Sequence, residues 1–445
     1  MKQLLTLLLC TAGITLHAQN ATLPIICGNE VLQHVVKEKY PELDAAFKAT
    51  FDEAKRNGHA ATKQRSPLTI QVVVHVVWKD LEENISDAMI EDQIRVLNED
   101  YNRMNADTGD LRQEFQFVAG NADIHFQLAG VERVETQELF DIDVLTGDLL
   151  TNLKSSAEGG SDAWDPDHYL NIWVCKIQPT TIFGLEVGQI LGFAFPPNGL
   201  DHWPDGSNAP TPGEDGVVID YRAFSSINPY VVEIPDGGGT LTVRGRTPVH
   251  EVGHYLGLRH IWGDGGTFGP NDCDQSDGVD DTPYANTQSS FDCDKTKNTC
   301  EQVELFYNED ALDLVENYMD YSSEDCMNMF TKGQVDIMRA VLQGPRAGLL
   351  TTVGTHQPVS GAEFRITPNP AQDRAVLTFE LSQPGEVNVR VTGADGRTVQ
   401  ESRSQQLSSG RQQMALETSN LAAGVYFVQV SANGTHFTQK LSVQR

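Results

Sequence analysis

The chain has 445 residues, too many for one ordinary domain, so two or three folded units plus processed segments are expected. Apolar residues make up 39% of the chain and charged residues 21%, a composition that excludes wholesale disorder. The 62 acidic residues exceed the 32 basic ones and give a net charge of −30, which excludes a general binder of nucleic acids or anionic membranes and favours cationic ligands or substrates.

Residues 1–19 have the features of a secretory signal peptide. Lys2 precedes an apolar stretch from Leu4 to Leu16, and positions 17–19 are small or polar. Cys10 belongs to the apolar stretch, because it lacks the small preceding residue that a lipoprotein signal requires. The protein is therefore predicted to leave the cytoplasm, and no other segment is long and apolar enough to span a bilayer.

Residues 20–65 are predicted to form a polar, helical propeptide. The segment ends in two basic clusters, Lys55-Arg56 and Lys63-Gln64-Arg65, which are typical of a cleavable exit.

Residues 66–350 are predicted to form a mixed α/β (α+β) domain. The β-branched run Thr69–Trp78 predicts a buried strand, and Asp87–Met104 carries apolar residues at nearly helical spacing, which predicts a long helix. Further strands are predicted at Ile124–Leu128, Tyr169–Ile177 and Val217–Tyr221. Cys175 lies within one of these strands and is predicted to be a buried free thiol.

A histidine-rich helix is predicted within this domain, as the first part of the pattern HExxHxxGxxH. Thr247 can cap the helix, and its first turn tolerates Pro248. His250 and His254 then lie one turn apart on the same face, where two imidazoles can share one metal ion.

The second part of the pattern lies beyond the helix. Gly257 lets the backbone leave the helix with a positive φ and brings His260 back as a third ligand. Three neutral nitrogens leave the fourth position of a zinc ion to water, whose pKa falls to roughly 7, so Glu251 can take its proton and later protonate the leaving amine. The alternative is an amphipathic core helix with incidental histidines, but five fixed positions favour the zinc site.

An acidic segment follows the histidines. Residues 264–325 contain 17 acidic side chains against two lysines, which supplies half of the net charge of the chain. Clustered oxygens of the kind that Ca²⁺ prefers occur at Asp277, Asp280, Asp281 and Thr282. The segment is not an EF-hand, since the 12-residue loop with its terminal Glu is missing, and a solvated acidic loop is the alternative.

Four cysteines also occur in this segment, namely Cys273, Cys293, Cys300 and Cys326. In an exported protein they should pair, and three connectivities are possible from the sequence. A second zinc site is the alternative, although no CxxC pair supports it.

The string HExxHxxGxxH is the zinc signature of the metzincins, and Asn317–Tyr321 resembles the Met-turn of that clan. The continuation Cys326–Gln334, with the earlier strings GDG and VDDTP, is similar to the pappalysin family, including its ulilysin-like prokaryotic members. This resemblance covers roughly residues 68–345. It implies a metzincin-type endopeptidase with a mostly parallel upper sheet, an active-site helix beneath it and a cleft across the zinc.

The resemblance also implies roles for single residues. Met319 would form the hydrophobic base beneath the metal, and Tyr321 would hydrogen-bond the oxyanion of the tetrahedral intermediate, with a buried core tyrosine as the alternative. Asp325 matches the position where similar proteases place an acid at the bottom of the pocket for the residue after the scissile bond. Such an acid favours Arg or Lys there, unless Asp325 is an ordinary surface charge.

For the acidic segment, the resemblance implies calcium ligands that include Asp277 and Thr282. The disulfides that it implies are Cys273 with Cys300 and Cys293 with Cys326.

Cys27, in the propeptide, predicts a latency mechanism. A thiolate is a good zinc ligand and could displace the water from the fourth position, as in cysteine-switch latency. The Arg often found near such switches is absent, and Ile26 precedes the cysteine.

The C-terminal part predicts a separate all-β sandwich, joined by a linker over residues 351–361. Its predicted strands are Val376–Leu381, Glu386–Val391, Gln413–Leu416, Val425–Val430 and Phe437–Val443, with turns at Asp395-Gly396 and Asn433-Gly434. Phe364–Pro370 and Leu421–Val430 resemble the sorting domain of type IX secretion in Bacteroidetes, over residues 362–445. This resemblance implies export through the periplasm and across the outer membrane; a carbohydrate-binding or adhesion sandwich is the alternative.

Together these features predict a secreted or cell-surface zinc endopeptidase that acts on proteins or peptides. One catalytic Zn²⁺, a structural Ca²⁺ and the type IX secretion machinery are its predicted partners. The competing classes are a non-catalytic, zinc-stabilised surface protein and an adhesin. Glu251 argues against the first of these, because a structural zinc site needs no general base and usually closes with a fourth protein ligand.

Overall fold

A computed structural model of the chain divides it into two compact units, Met1–Leu350 and Thr351–Arg445. The described residues of the first unit are 25, 26, 28, 49, 66–142, 148–182, 185–197, 209–234, 239–263, 273 and 276–350. Those of the second are 365–381, 385–393, 398–401, 405–408, 410–432 and 435–444. The predicted signal peptide and linker, and nearly all of the predicted propeptide, lie outside these residues. Among the residues described, none of the helices has the length and hydrophobicity of a membrane-spanning segment.

The described part of the first unit contains three α-helices and fourteen strands. The helices are α1 (Asp87–Tyr101), α2 (Arg246–Tyr255) and α3 (Lys332–Gln343). The strands are β1 (Ile25–Ile26), β2 (Leu68–Trp78), β3 (Ala119–Gly120), β4 (Ile124–Glu135), β5 (Tyr169–Cys175), β6 (Thr180–Ile182), β7 (Leu185–Ile190), β8 (Gly192–Ala194), β9 (Val217–Asp220), β10 (Val232–Ile234), β11 (Gly239–Leu241), β12 (Val303–Glu304), β13 (Glu309–Asp310) and β14 (Phe330–Thr331).

A five-stranded sheet in the order β4-β2-β5-β9-β8 forms the centre of this unit. Its pairs are parallel except for β8, which runs antiparallel to β9 at one edge. The central strand β2 is buried along most of its length, as its run of valines predicts for a parallel strand covered on both faces. The mostly parallel sheet that the family resemblance implies is therefore present.

Helix α1 packs against β4 and α2. Its first turn is capped by Ser86, whose side chain accepts a hydrogen bond from the Met89 amide. The helix ends at Tyr101, three residues before the predicted end, because Asn102 leaves helical geometry and Arg103 has a φ of 52°.

Strand β4 is longer than predicted. The sequence predicts a strand to Leu128, yet pairing with β2 continues to Glu135. Beyond Phe126 its side chains are exposed or half-buried, so the apolar pattern fades while the backbone ladder persists.

The four clustered cysteines form the pairs Cys273–Cys300 and Cys293–Cys326, the connectivity that the family resemblance implies. Cys175 is buried and free, as predicted.

A buried histidine joins two neighbouring strands of the sheet to the segment between β4 and β5. His75 Nε2 donates to Asn171 Oδ1 at 2.9 Å, and Nδ1 accepts from the Ser161 hydroxyl at 2.8 Å. The ring also stacks on Trp173 at 5.0 Å. Burial lowers the pKa of His75 to about 4, although the Asn171 hydrogen bond and the nearby Asp162 charge oppose this shift. The imidazole is therefore neutral in the folded protein at neutral pH.

Acid should destabilise the fold through His75. Its folded pKa lies below its unfolded value of 6.5, so the unfolded chain takes up the proton first, and stability is lost as the pH falls from 6.5 to 4. The expected contribution is about 3 kcal/mol of unfolding free energy. Urea unfolding at several pH values should show a shallower pH dependence for His75→Gln than for the wild type, whereas equal slopes would contradict this assignment.

The second unit is built of antiparallel strands in two sheets that share one core. The first sheet has the order β15-β16-β20. The second has the order β18-β17-β21-β22, and β19 also pairs with β17. Their bounds are β15 (Arg365–Thr367), β16 (Arg374–Leu381), β17 (Gly385–Gly393), β18 (Thr398–Glu401), β19 (Gln405–Leu407), β20 (Gly410–Glu417), β21 (Gly424–Ala432) and β22 (Thr435–Val443). Each predicted strand lies within an observed one, and the sequence misses β15, β18 and β19. The two predicted turns lie outside the described residues.

Candidate active site

Helix α2 and the turn after it bring three buried histidines together. The Nε2 atom of His254 lies 3.0 Å from that of His250 and 3.1 Å from that of His260. Each ring contributes one nitrogen to a group of three that lie within 4.8 Å of one another. The helical spacing supplies the first two rings, and Gly257, with a φ of 91°, lets the chain turn back with the third.

The outer nitrogens of the two helical histidines are fixed by backbone carbonyls. His250 Nδ1 donates to Tyr318 O at 2.7 Å, and His254 Nδ1 donates to Leu258 O at 2.9 Å. These bonds leave both Nε2 atoms without a proton and directed at the common centre. Burial also lowers the pKa values of His250 and His260 well below the usual value. Three neutral nitrogens with this geometry fit a zinc ion.

Glu251 lies beside the histidines and lines a cavity that is open to solvent. Its side chain is 2% exposed, and burial raises its pKa well above the usual value. The edge strand β8 passes directly over it, since a Cβ at Gly192 would lie 2.8 Å from Glu251 Cγ. The walls of the cavity also include apolar side chains, namely Leu191, Leu241, Phe291 and Met327.

The segment Asn317–Tyr321 lies beneath and beside the histidines. Met319 is fully buried, and its sulfur would be 2.6 Å from a Cβ placed on Gly253 of α2. The Tyr321 ring lies 5.6 Å from His250 and 5.1 Å from His260, and it lines the cavity. Its buried Oη has no hydrogen-bond partner within the described part of the chain.

The start of α2 differs from the prediction. The helix begins at Arg246 with Gly245 as its N-cap, so Thr247 is not the cap. The carboxylate of Glu324 accepts from the Thr247 amide at 2.9 Å, from its hydroxyl at 2.8 Å and from the Arg246 amide at 3.1 Å. A distant acid therefore replaces the local cap. The sequence signal for it is that Gly245, ahead of Arg246, has no side chain that could accept from the helix amides.

Arg246 connects the N-terminal end of α2 to α1 and to the loop that follows α1. Its guanidinium lies 3.2 Å from the carboxylate of Asp100 and 2.7 Å from that of Asp107, and it donates to Glu324 O at 2.6 Å. Burial raises the pKa of Asp100 to about 6, and the Arg246 charge opposes this shift. The sequence gives no local sign of this network, because each partner lies more than 70 residues from Arg246.

Asp325 lies at the surface and is not among the residues that line the cavity. Its side chain is 43% exposed and forms an ion pair with Arg244, on the loop that precedes α2. The neighbouring Glu324 lines the cavity instead. The reason is that Arg244 offers Asp325 a surface partner, whereas the amides of α2 hold Glu324 inside.

Of the four predicted calcium ligands, three are buried and one is exposed. Three buried oxygens have no hydrogen-bond partner in the part of the chain that is described: Asp277 Oδ2, Asp281 Oδ1 and Thr282 Oγ1. The second oxygens of the carboxylates accept from the Val279 and Gly333 amides, each at 2.9 Å. Asp280, in contrast, is exposed. Buried carboxylate and hydroxyl oxygens of this kind fit a hard cation.

Cys27 lies outside the described residues, but its neighbours are placed. Strand β1 pairs in parallel with β7 through Ile25 and Ile26. A Cβ at Gly28 would lie 3.2 Å from the carbonyl oxygen of Gly192, in β8. The residues on both sides of Cys27 therefore follow the strands that border the cavity.

Comparison with known proteins identifies two regions. Residues 238–343 match the peptidase family model described as pregnancy-associated plasma protein-A, and residues 365–444 match the secretion system C-terminal sorting domain. An extracellular metalloprotease of Pyricularia oryzae is 31% identical over 70% of this chain and 87% of its own length. Extracellular metalloprotease 1 of Coccidioides posadasii is 30% identical over 64% of this chain and 80% of its own length.

A solved metallopeptidase structure also resembles this chain in its fold. Mature mirolysin of Tannerella forsythia, in complex with a cleaved peptide, is 35% identical and superposes with a TM-score of 0.53, covering 65% of this chain and 97% of mirolysin.

Proposed function

Because this chain belongs to the pappalysin family of metallopeptidases, we propose that it cleaves proteins or peptides with Glu251 as general base and Tyr321 as a hydrogen-bond donor to the developing oxyanion. The protein is a zinc-dependent metalloendopeptidase, and its sorting domain directs it to type IX secretion. The convergence of His250, His254 and His260 beside Glu251 and the open cavity carries the proposal.

The three histidines would hold the zinc ion. When bound, zinc supplies a Lewis acid that polarises the scissile carbonyl and makes water acidic near neutral pH. Glu251 takes the proton from the attacking water. The same carboxyl then delivers that proton to the leaving amine, and its burial keeps the proton away from bulk water.

Tyr321 would stabilise the negative charge that develops on the substrate carbonyl oxygen. Its buried hydroxyl lines the cavity and has no other hydrogen-bond partner among the described residues, so donation to the oxyanion would satisfy it. Met319, packed beneath α2, is proposed as the methionine of a metzincin Met-turn. A non-catalytic zinc protein is disfavoured, because it would need neither an open cavity nor a buried acid beside the ligands.

We further propose that the enzyme prefers Arg or Lys after the scissile bond through Asp325. The exposed ion pair with Arg244 can exchange for a substrate guanidinium, since surface pairs contribute little stability. The apolar walls of the cavity would pack against the methylene groups of such a side chain.

Digestion of casein and of a peptide library tests both the activity and this preference. The wild type should show Arg and Lys enriched after the cut. Asp325→Asn should reduce this enrichment roughly tenfold while casein is still cleaved, and Arg244→Ser should increase it, because Asp325 loses its internal competitor. Enrichment of apolar residues by all three enzymes would reject the role of Asp325, whereas no cleavage of casein would reject the peptidase assignment itself.

A structural calcium ion is proposed for the cluster of Asp277, Asp281 and Thr282. The support is that three buried oxygens lack partners among the described residues, which would be costly in the absence of a cation. The exposed Asp280 would contribute charge at the edge of this site.

The first unit is proposed to consist of three segments in chain order. Residues 1–19 are removed as a signal peptide, residues 20–65 form the propeptide, and residues 66–350 form the catalytic domain. Cys27 would ligate zinc in the zymogen, since its neighbours Ile26 and Gly28 lie along the strands that border the cavity.

A further inference from the structure

The third histidine is supported differently from the other two. His250 and His254 lie on α2, and each ring is oriented by a backbone carbonyl. His260 lies beyond the helix, where its backbone carbonyl accepts from the Gly263 amide at 2.9 Å. The Ile261 amide donates to Met319 O at 3.3 Å, which fixes the backbone next to the His260 ring.

The His260 ring lies flat against the indole of Trp262. The ring centroids are 4.4 Å apart and the planes differ by 4°, so the two faces are parallel and in contact. Trp262 is 1% exposed, and its side chain is held by packing in the core. Rotation of the imidazole about its Cβ–Cγ bond would lift one edge out of this contact.

Trp262 also contacts the tyrosine of the site. The Tyr321 ring meets the indole edge to face at 5.0 Å and meets His260 edge to face at 5.1 Å. The three rings thus form one packed group, and the Nε2 atom of His260 is directed at His254 Nε2, 3.1 Å away.

We propose that Trp262 is a positioning residue for the metal site, which fixes the plane of His260 so that its nitrogen meets the ion without reorganisation. This proposal rests on the assignment of His260 as a zinc ligand. A flat aromatic face is the required property, because an aliphatic side chain of similar volume fills the space but offers no parallel face against the imidazole plane.

Zinc affinity of the processed enzyme tests the proposal, measured by competition of the metal-free protein with a chromogenic chelator. Trp262→Leu and Trp262→Met should weaken binding roughly 10- to 100-fold, the usual effect of removing a group that orients a ligand, whereas Trp262→Phe should stay within about threefold. The visible absorption bands of the cobalt-substituted enzyme should change for Leu and Met but not for Phe.

Two reference variants separate the possible outcomes. Trp173→Leu removes an equally buried indole that stacks on His75, which is not a proposed ligand, and should lower the melting temperature without changing the zinc Kd. His260→Ala should weaken zinc binding strongly; wild-type affinity in this variant would reject the ligand assignment and the proposal with it. Normal zinc affinity and cobalt spectra in folded Trp262→Leu or Trp262→Met, with impaired His260→Ala, would overturn the role of Trp262 alone.

Discussion

Glu251→Gln should reduce kcat on peptide substrates by roughly 100- to 10,000-fold, the range that general acid–base groups contribute. The amide has nearly the same shape as the carboxyl, so it should fill the same place under Gly192. It cannot accept the proton of water or deliver one to the leaving amine. Zinc binding should persist, because the three imidazole nitrogens are untouched.

Peptide hydrolysis, zinc content and thermal melting should be measured on the same preparations. The melting temperature of Glu251→Gln should equal or exceed that of the wild type, because the variant buries no ionisable group. Glu304→Gln is a matched control: Glu304 is 3% exposed, burial raises its pKa to about 7, and it does not line the cavity. It should remain active. Zinc-loaded Glu251→Gln with activity within tenfold of the wild type would contradict the assigned base.

Removal of calcium from the zinc-loaded enzyme should lower its melting temperature by roughly 10 °C. This estimate assumes free calcium at about 100 to 1,000 times Kd, which stabilises a fold by about 3–4 kcal/mol. The physical reason is that Asp277 and Asp281 bury carboxylate oxygens without partners among the described residues, and desolvation raises the pKa values of both groups. Calcium would compensate for that cost.

The aspartate variants make this test specific. Asp277→Asn and Asp281→Asn should lose the response to calcium and, in calcium-free solution, should melt at or above the wild type, since they no longer bury a charge. Asp280→Asn, the same change at the exposed neighbouring position, should keep the response. If the wild type, once stripped of metals, regained its full melting temperature with zinc alone, the calcium assignment would be rejected.

The sequence predicts the parts of the site that depend on local spacing. The separation of His250 and His254 is set by the helix pitch, and the return of His260 depends on the positive φ of Gly257, so both could be expected before the structure. The valine run of β2 likewise reports burial on both faces. These features need only neighbours in the chain.

The remaining parts join residues that are distant in sequence. Glu324 caps a helix that begins 78 positions earlier, and Asp325 pairs with Arg244, 81 positions away. Side-chain chemistry alone did not show which of two adjacent acids faces the cavity. The edge strand β8 has only three residues and no alternating pattern, so its position over Glu251 depends on pairing with β9.

Gly192 has a consequence for how this enzyme can evolve. A Cβ at this position would lie 2.8 Å from Glu251 Cγ and 3.0 Å from the carbonyl oxygen of Val218, so even alanine would have to displace Glu251 or the neighbouring strand. Substitution of Gly192 at this rim of the cleft is therefore disfavoured. Changes in substrate range would instead arise at side chains that line the cavity, such as Leu191, Leu241 and Met327.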